Sequence, residues 1–290
     1  MTLTSTRPSY RPFAVSVAAV TDLSPSFRRL TLTGTDLHEC GDAMLDQRIK
    51  LVLGEPDPTL LTHEWYDVWR ALPDDRRPAV RTYSIAGLDR ARSMMDVDVA
   101  CWPVHGPASR FAAQAVPGDS LIVVAPDAQS PEASSHGIAW RPGAATDVLI
   151  VGDETALPAI RNILRALPDR ITGTAILELP HLADAVELTA PPGIELHLVA
   201  RDGRPVGVAA EQHLSRILPA ARRTRKPVAP EPDEDDLWDE IDGGHRRRTY
   251  GWLAGEAGWI VGLRRRARSA PSLADSNFMG YWKAGKALEG

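Results

Sequence analysis

Three short stretches of the chain hold residues whose types and spacing could do chemistry. Gly106-Pro107-Ala108-Ser109 follows a strand-like run and precedes RFAAQA, a short helix pattern. Free N–H groups and the positive end of a helix dipole attract phosphate, and small residues let the anion come close. Pro107 suits a first turn, where no donor is lost; the same four residues also make an ordinary helix start. The second stretch, Gly152-Asp153-Glu154-Thr155-Ala156-Leu157-Pro158, ends a continuous apolar run and opens a helix whose Leu157, Ile160, Leu164 and Leu167 share one face. Asp153 or Thr155 can cap that helix. A dinucleotide would sit at such a turn if the strand belongs to a parallel sheet. There is no GxGxxG, however, and an acidic pair repels phosphate, so a capped structural helix competes with that reading. The third stretch is Arg81-Thr82-Tyr83-Ser84, inside a strand pattern. Alternation puts Arg81 and Tyr83 on one face and Ser84 on the other, and a bend is needed if all three are to meet one ligand.

Other chemistries are excluded by what is missing. Cys40 and Cys101 are the only cysteines, too few for a disulfide scaffold, a four-cysteine zinc site or an all-cysteine iron–sulfur cluster, and they fit a reducing cytoplasm. His63-Glu64 lacks the second histidine of HExxH, and neither a GxSxG elbow nor a P-loop lysine motif occurs. No metal site is expected from eight scattered histidines. The N-terminus reads as no secretory signal, and no apolar run is long enough to span a bilayer. The net charge of −5 is uneven: Pro230 to Gly244 holds eight carboxylates and no base, with RRTRK at Arg222–Lys226 and RRR at Arg246–Arg248 on either side. A solvated acidic loop near 229–244 is the reading, with a docking surface as the alternative. No basic stripe interleaved with aromatics points to nucleic acid.

The elements that must position these residues divide the chain of 290 residues in two. Up to about Arg141 the pattern is of short strands: FAVSVAA, FRRLTLTG, RIKLVLG, VRTYSIAG, MDVDVAC and DSLIVVAP. Six strands at this spacing predict an antiparallel barrel over 1–141, with Leu60–Arg77 as a long insertion. From Asp147 the chain alternates apolar strands (VLIVG, TAILEL, IELHLVA, TYGWLAG) with helical segments, one near Gly207–Leu218. That predicts a parallel α/β sheet over 142–290.

Taken in order, RRLTLTG with DQRIKL, RTYS, DVDV with HGPASRFA, PGDSLIVVAP, GDETALPAI, YGWLAGEAG and GYWKAGK resemble the siderophore-interacting proteins, the ferric-siderophore reductases of the ferredoxin-reductase superfamily. The resemblance runs from about Phe13 to Lys286. It implies FAD on the barrel, at Arg81, Thr82, Tyr83 and Ser84, continued by Asp98, Trp102, Gly106, Ala108 and Ser109. Guanidinium suits phosphate and a tyrosine ring suits a planar flavin. It implies NADH or NADPH in the second domain, against Asp153, Glu154, Thr155 and Ala156 and near Gly255 and Glu256. Glu178, at a strand end, could accept from a ribose 2′-hydroxyl and would repel a 2′-phosphate. Two positions depart from the family pattern: Trp102-Pro103 stands where the family has His-Gly, and Asp127 where it often has a base. Lys50 and Lys283 are the basic candidates for the siderophore.

The implied function is a cytoplasmic, monomeric ferric-siderophore reductase in which a reduced nicotinamide gives hydride to the flavin and Fe(III) takes electrons singly. Fe(II) binds hard oxygen ligands less strongly, so reduction releases the metal. No protein nucleophile or metal ligand is required. Two alternatives stay open: a flavin reductase serving an electron-transfer protein partner, and a non-enzymatic siderophore- or flavin-binding homologue.

Overall fold

The computed structural model describes residues 8–41, 44–101, 106–217, 238–239, 249–267 and 276–285. The acidic stretch, apart from Trp238–Asp239, and Trp102-Pro103 lie outside them. Two compact units divide between Ile138 and Ala139. No helix among the described residues is long and apolar enough to cross a membrane.

The first unit is built on β1 (Tyr10–Asp22), β2 (Phe27–Thr33), β3 (Arg48–Leu53), α1 (Trp65–Ala71), β4 (Ala79–Ser84), β5 (Gly87–Asp89), β6 (Met94–Ala100), α2 (Pro107–Gln114) and β7 (Ser120–Pro126). The strands form one curled antiparallel sheet in the order β4-β3-β7-β1-β2-β6-β5. It has seven strands, not six, because the segment read as one strand from Val80 to Gly87 changes partner partway. Up to Ser84 it pairs with β3. Ile85 N–H still donates to Gln47 O on that side (3.3 Å), but Ala86 N–H donates to Asp96 O (2.9 Å), and β5 then pairs with β6. One continuous segment thus joins the two ends of the sheet.

Phe13, Val15, Leu30, Leu32, Ile49, Leu51, Met95, Val97, Leu121 and Val123 fill the inner face at period two. The opposite face of β3, β4 and β7 is also apolar, through Val52, Val80, Ile122 and Val124, because the Leu60–Arg77 insertion lies on it. There Trp65 and Trp69, four residues apart on α1, are both buried, and the Trp69 indole N–H donates to Pro78 O (2.8 Å). Ala108, Ala112 and Ala115 pack α2 against the barrel core, and the Arg28 guanidinium donates to Ala112 O and Ala113 O at the helix C-terminus.

The second unit contains β8 (Asp147–Gly152), α3 (Leu157–Ala166), β9 (Thr172–Leu179), β10 (Ile194–Ala200), α4 (Val208–Ile217), β11 (Trp238–Asp239), β12 (Thr249–Glu256), α5 (Ala257–Ala267) and β13 (Ser276–Trp282). The order is β10-β9-β8-β12-β13-β11, parallel except for β11. The chain steps outward from β8 to β10, then returns to the other side of β8 with β12. The strand order therefore reverses between β8 and β12, and the carboxyl ends of those strands frame the crevice where such sheets hold ligands.

Candidate functional site

On the first unit, Arg81 and Tyr83 stand opposite Leu51 and Ile49, which places both on the core face of β4; Ser84 and Thr82 are on the other face. The Arg81 Nη1 donates to Val80 O (2.7 Å), and its remaining donors have no partner among the described residues. Tyr83 packs partly against the core, and burial holds its hydroxyl proton firmly. Ser84 is 6% exposed and its hydroxyl likewise has no partner among the described residues. Thr82 is exposed. Directly after Ser84 the segment changes partner, at Ile85-Ala86.

At the start of α2 the Ser109 Oγ accepts from Gly106 N–H (3.0 Å) and donates to Gly106 O (3.1 Å), so this hydroxyl closes a capping box rather than facing outward. A Cβ at Gly106 would meet nothing within 4 Å among the described residues, which leaves the approach to the first turn open on their side. Ala108 is buried beneath it.

Asp98 corrects the sequence reading. Its neighbours Met95, Val97 and Val99 fill the core, so it lies on the other face of β6, where Arg29 Nε and Nη2 grip both carboxylate oxygens (2.7 and 3.0 Å). With Thr31 donating to Asp96 Oδ1 (2.7 Å), it forms a polar ladder between β2 and β6. The arginine–carboxylate pair is bidentate and leaves Asp98 closed to a ligand. Asp127 is also fully buried, with Gln129 N–H on Oδ1 (3.0 Å) and Arg11 Nε 3.8 Å from Oδ2.

In the second unit the structure brings Asp153, Glu154, Thr155, Ala156, Gly255 and Glu256 together at the point of strand-order reversal. Asp153 is wholly buried: Oδ1 accepts from the Thr155 N–H (2.9 Å) and hydroxyl, and Oδ2 from Glu256 N–H (2.7 Å) and the Trp282 indole N–H (2.9 Å). Burial, then the charge of Glu154, pushes its carboxyl up to about 7. Glu154 is itself held in a bidentate pair by Arg201 (2.9 and 2.6 Å), which offsets the repulsion that an acidic turn would offer a phosphate. Gly255 has φ +157°, and a Cβ there would stand 2.7 Å from Asp153 Oδ2, so no side chain fits. The Glu256 carboxylate accepts from Trp259 N–H at the start of α5 (2.8 Å) and from Ala284 N–H (3.1 Å). Ala156, fully buried, packs under Gly152, where a Cβ would lie 2.7 Å from that of Ala156.

Glu178 is not available to a ribose. It is fully buried and caps α4, accepting from Gly207 N–H (2.8 Å) and Ala210 N–H (2.9 Å). The two lysines lie in different units. Lys50 is half-buried on the outer face of β3 beside Thr82 and Val124, its ammonium pushed down by burial and then by Arg48. Lys283 follows β13 and is half-buried. Among the described residues no histidine, cysteine or carboxylate cluster could hold a metal ion, and Cys40 and Cys101 are free and buried.

Sequence reading missed Arg29, Arg201 and Trp282. Each acts through a partner 47 to 129 residues away, and no local pattern announces such a pairing.

Comparison with known proteins finds two adjacent matches along the chain: residues 16–130 to a siderophore-interacting FAD-binding domain and residues 145–285 to a siderophore-interacting protein. An uncharacterized protein of Mycobacterium tuberculosis is 30% identical over 95% of this chain and 92% of its own length. An NADPH-dependent ferric-chelate reductase of Escherichia coli is 31% identical over 53% of this chain and 56% of its own. Among solved structures, the siderophore-interacting protein SipS of Aeromonas hydrophila superposes with a TM-score of 0.68 at 28% identity, covering 97% of this chain and 94% of that one.

Proposed function

The chain belongs to the siderophore-interacting protein family, and on that premise we propose that it is an FAD-dependent reductase of ferric siderophores supplied with electrons by NADH or NADPH. The observation that carries the proposal is the pair of polar groups on β4 unclaimed by any described residue: an arginine with donors to spare and a buried serine hydroxyl with no partner among the described residues, flanking a tyrosine ring. These fit FAD. A guanidinium offers a planar fork to phosphate, the phenol ring packs on a planar heterocycle, and the Ser84 hydroxyl can bond the edge of the flavin. The open first turn of α2, next to Gly106, suits the pyrophosphate.

Bound FAD supplies what the side chains lack, an exchange of a two-electron donor for one-electron acceptors. Overall, one hydride from NAD(P)H reduces two Fe(III) complexes to Fe(II), giving NAD(P)⁺ and one proton. The chain's own residues bind and orient: Arg81 and the α2 N-terminus hold phosphate, Tyr83 and Ser84 hold the ring, and the turn at Asp153–Ala156 shapes the nucleotide crevice. Iron is substrate here, so no protein ligand is needed; hard oxygen donors of the siderophore release it once its charge falls.

The test is anaerobic. The flavin absorption band of the reconstituted protein should bleach on addition of NADH or NADPH and recover when a hydroxamate- or catecholate-type ferric complex is added. Failure to bind FAD at all would end the proposal, and bleaching that no ferric complex reverses would end its substrate half.

A further inference from the structure

One aromatic side chain at the carboxyl edge of the second sheet is placed by an unusual contact. Trp282 ends β13, and its backbone pairs with Glu256 at the end of β12 across a bulge. Its indole N–H nevertheless reaches Asp153 Oδ2 (2.9 Å), which lies beyond the end of β8, on the far side of β12. The ring therefore crosses the carboxyl end of β12, over the point where the strand order reverses. A Cβ at Gly255 would crowd the acceptor of this bond, standing 2.7 Å from Asp153 Oδ2. Trp282 is half-buried, at the carboxyl edge of the sheet, where parallel sheets of this kind hold their ligands.

Asp153 is the reverse case. All its bonds run to Thr155, Glu256 and Trp282, and it is fully buried, so it offers nothing to a ligand. The charged groups around it are Glu154 and Arg201 at the neighbouring turn, Glu256 on β12, Glu178 on β9 and Lys283 next to Trp282. We propose that Trp282 is the platform on which a heteroaromatic ring of the nicotinamide nucleotide stacks, and that Asp153 is the positioning residue that holds the indole in place. This rests on the reading that the second unit binds NADH or NADPH.

The test compares the full-length flavoprotein with W282F, D153N and the double variant, each shown by retained FAD and near-ultraviolet circular dichroism to be folded. Equilibrium titrations use NADH, NADPH and ADP-ribose, which lacks the nicotinamide. W282F, whose smaller ring also lacks the indole N–H that Asp153 holds, should weaken binding roughly threefold, a part of one aromatic stacking contact. Loss with all three ligands identifies the adenine as the stacked ring; loss with NADH and NADPH alone identifies the nicotinamide. D153N, whose amide nitrogen cannot accept a hydrogen bond, should weaken binding by a similar factor, and the double variant should be no weaker than W282F. Without any nucleotide, the Trp282 component of the fluorescence, taken as wild type minus W282F, should change with pH and lose that change when the same difference is taken in the D153N background. Unchanged binding by W282F while the wild type binds normally overturns the platform. Additive losses, or a Trp282 emission indifferent to Asp153, overturn the positioning role. A wild type that binds none of the three ligands overturns the platform together with the nucleotide reading, which the first outcome leaves intact.

Discussion

Asp98 and Asp153 show how much a single carboxylate's role depends on what faces it. Both belong to motifs that resemble a cofactor-binding family, and both turn out to be buried and fully engaged by protein donors. For Asp98 the expected consequence is structural: Asp98→Ala takes from Arg29 its bidentate partner, leaving Asp96 at 4.0 Å, and should cost about 3 kcal/mol of stability, read from denaturant midpoints, while the folded fraction keeps its FAD affinity. Arg81→Ala should do the opposite, leaving stability within about 1 kcal/mol but weakening FAD binding at least tenfold, because among the described residues Arg81 has one local contact to lose and several further donors to withdraw. Asp153 adds a pH signature. Its folded-state carboxyl is raised to about 7, whereas in the unfolded chain it titrates at about 4. Between those values the folded protein holds the extra proton, so stability falls as pH rises from about 4 to 7. Melting temperatures of D153N against wild type across that window should show the slope flattened in the variant.

At the level of elements, periodicity was a good guide where one face is buried and a poor one where two are. The strand runs of the first unit were legible because a period-two spacing reports which side meets a core, whereas those of the second unit were legible as continuous apolar runs; on α3 the three-four spacing marked buried positions, but the helix is buried on its other sides too as far as Leu164. The seventh strand was not legible. β4 and β5 are separated by two residues that continue the strand pattern, and only the hydrogen-bond partners distinguish them. Glu178 was misread for a related reason: its place at a strand end suggests a ligand, but α4 begins over it, and N–H groups of the helix start donate to both of its oxygens. Glu178→Ala should therefore loosen α4 by about 1–2 kcal/mol, seen as faster amide exchange of Gly207 and Ala210.

For the whole molecule, the groups suited to FAD fall in the first unit and those gathered around the nucleotide crevice in the second. Binding of the two should thus separate by mutation: Arg81→Ala should retain ADP-ribose affinity within about twofold while losing FAD. The two units matched two consecutive family descriptions, and their order in the chain was legible because the change from alternating to continuous apolar strands is a property of composition over dozens of residues. One feature of the first unit carries a mechanical consequence. The residues that would grip the flavin lie on the same segment that fastens one end of the sheet to the other, and the fastening at Ile85 and Ala86 includes one backbone bond towards β3 and one to β6. A ligand held by Arg81, Tyr83 and Ser84 is then a pin through a clasp: with it in place the ring of strands cannot spring open at its seam, and without it the seam is where opening starts. Amide exchange at Ile85 and Ala86, measured with and without FAD, becomes a gauge of whether the barrel is latched.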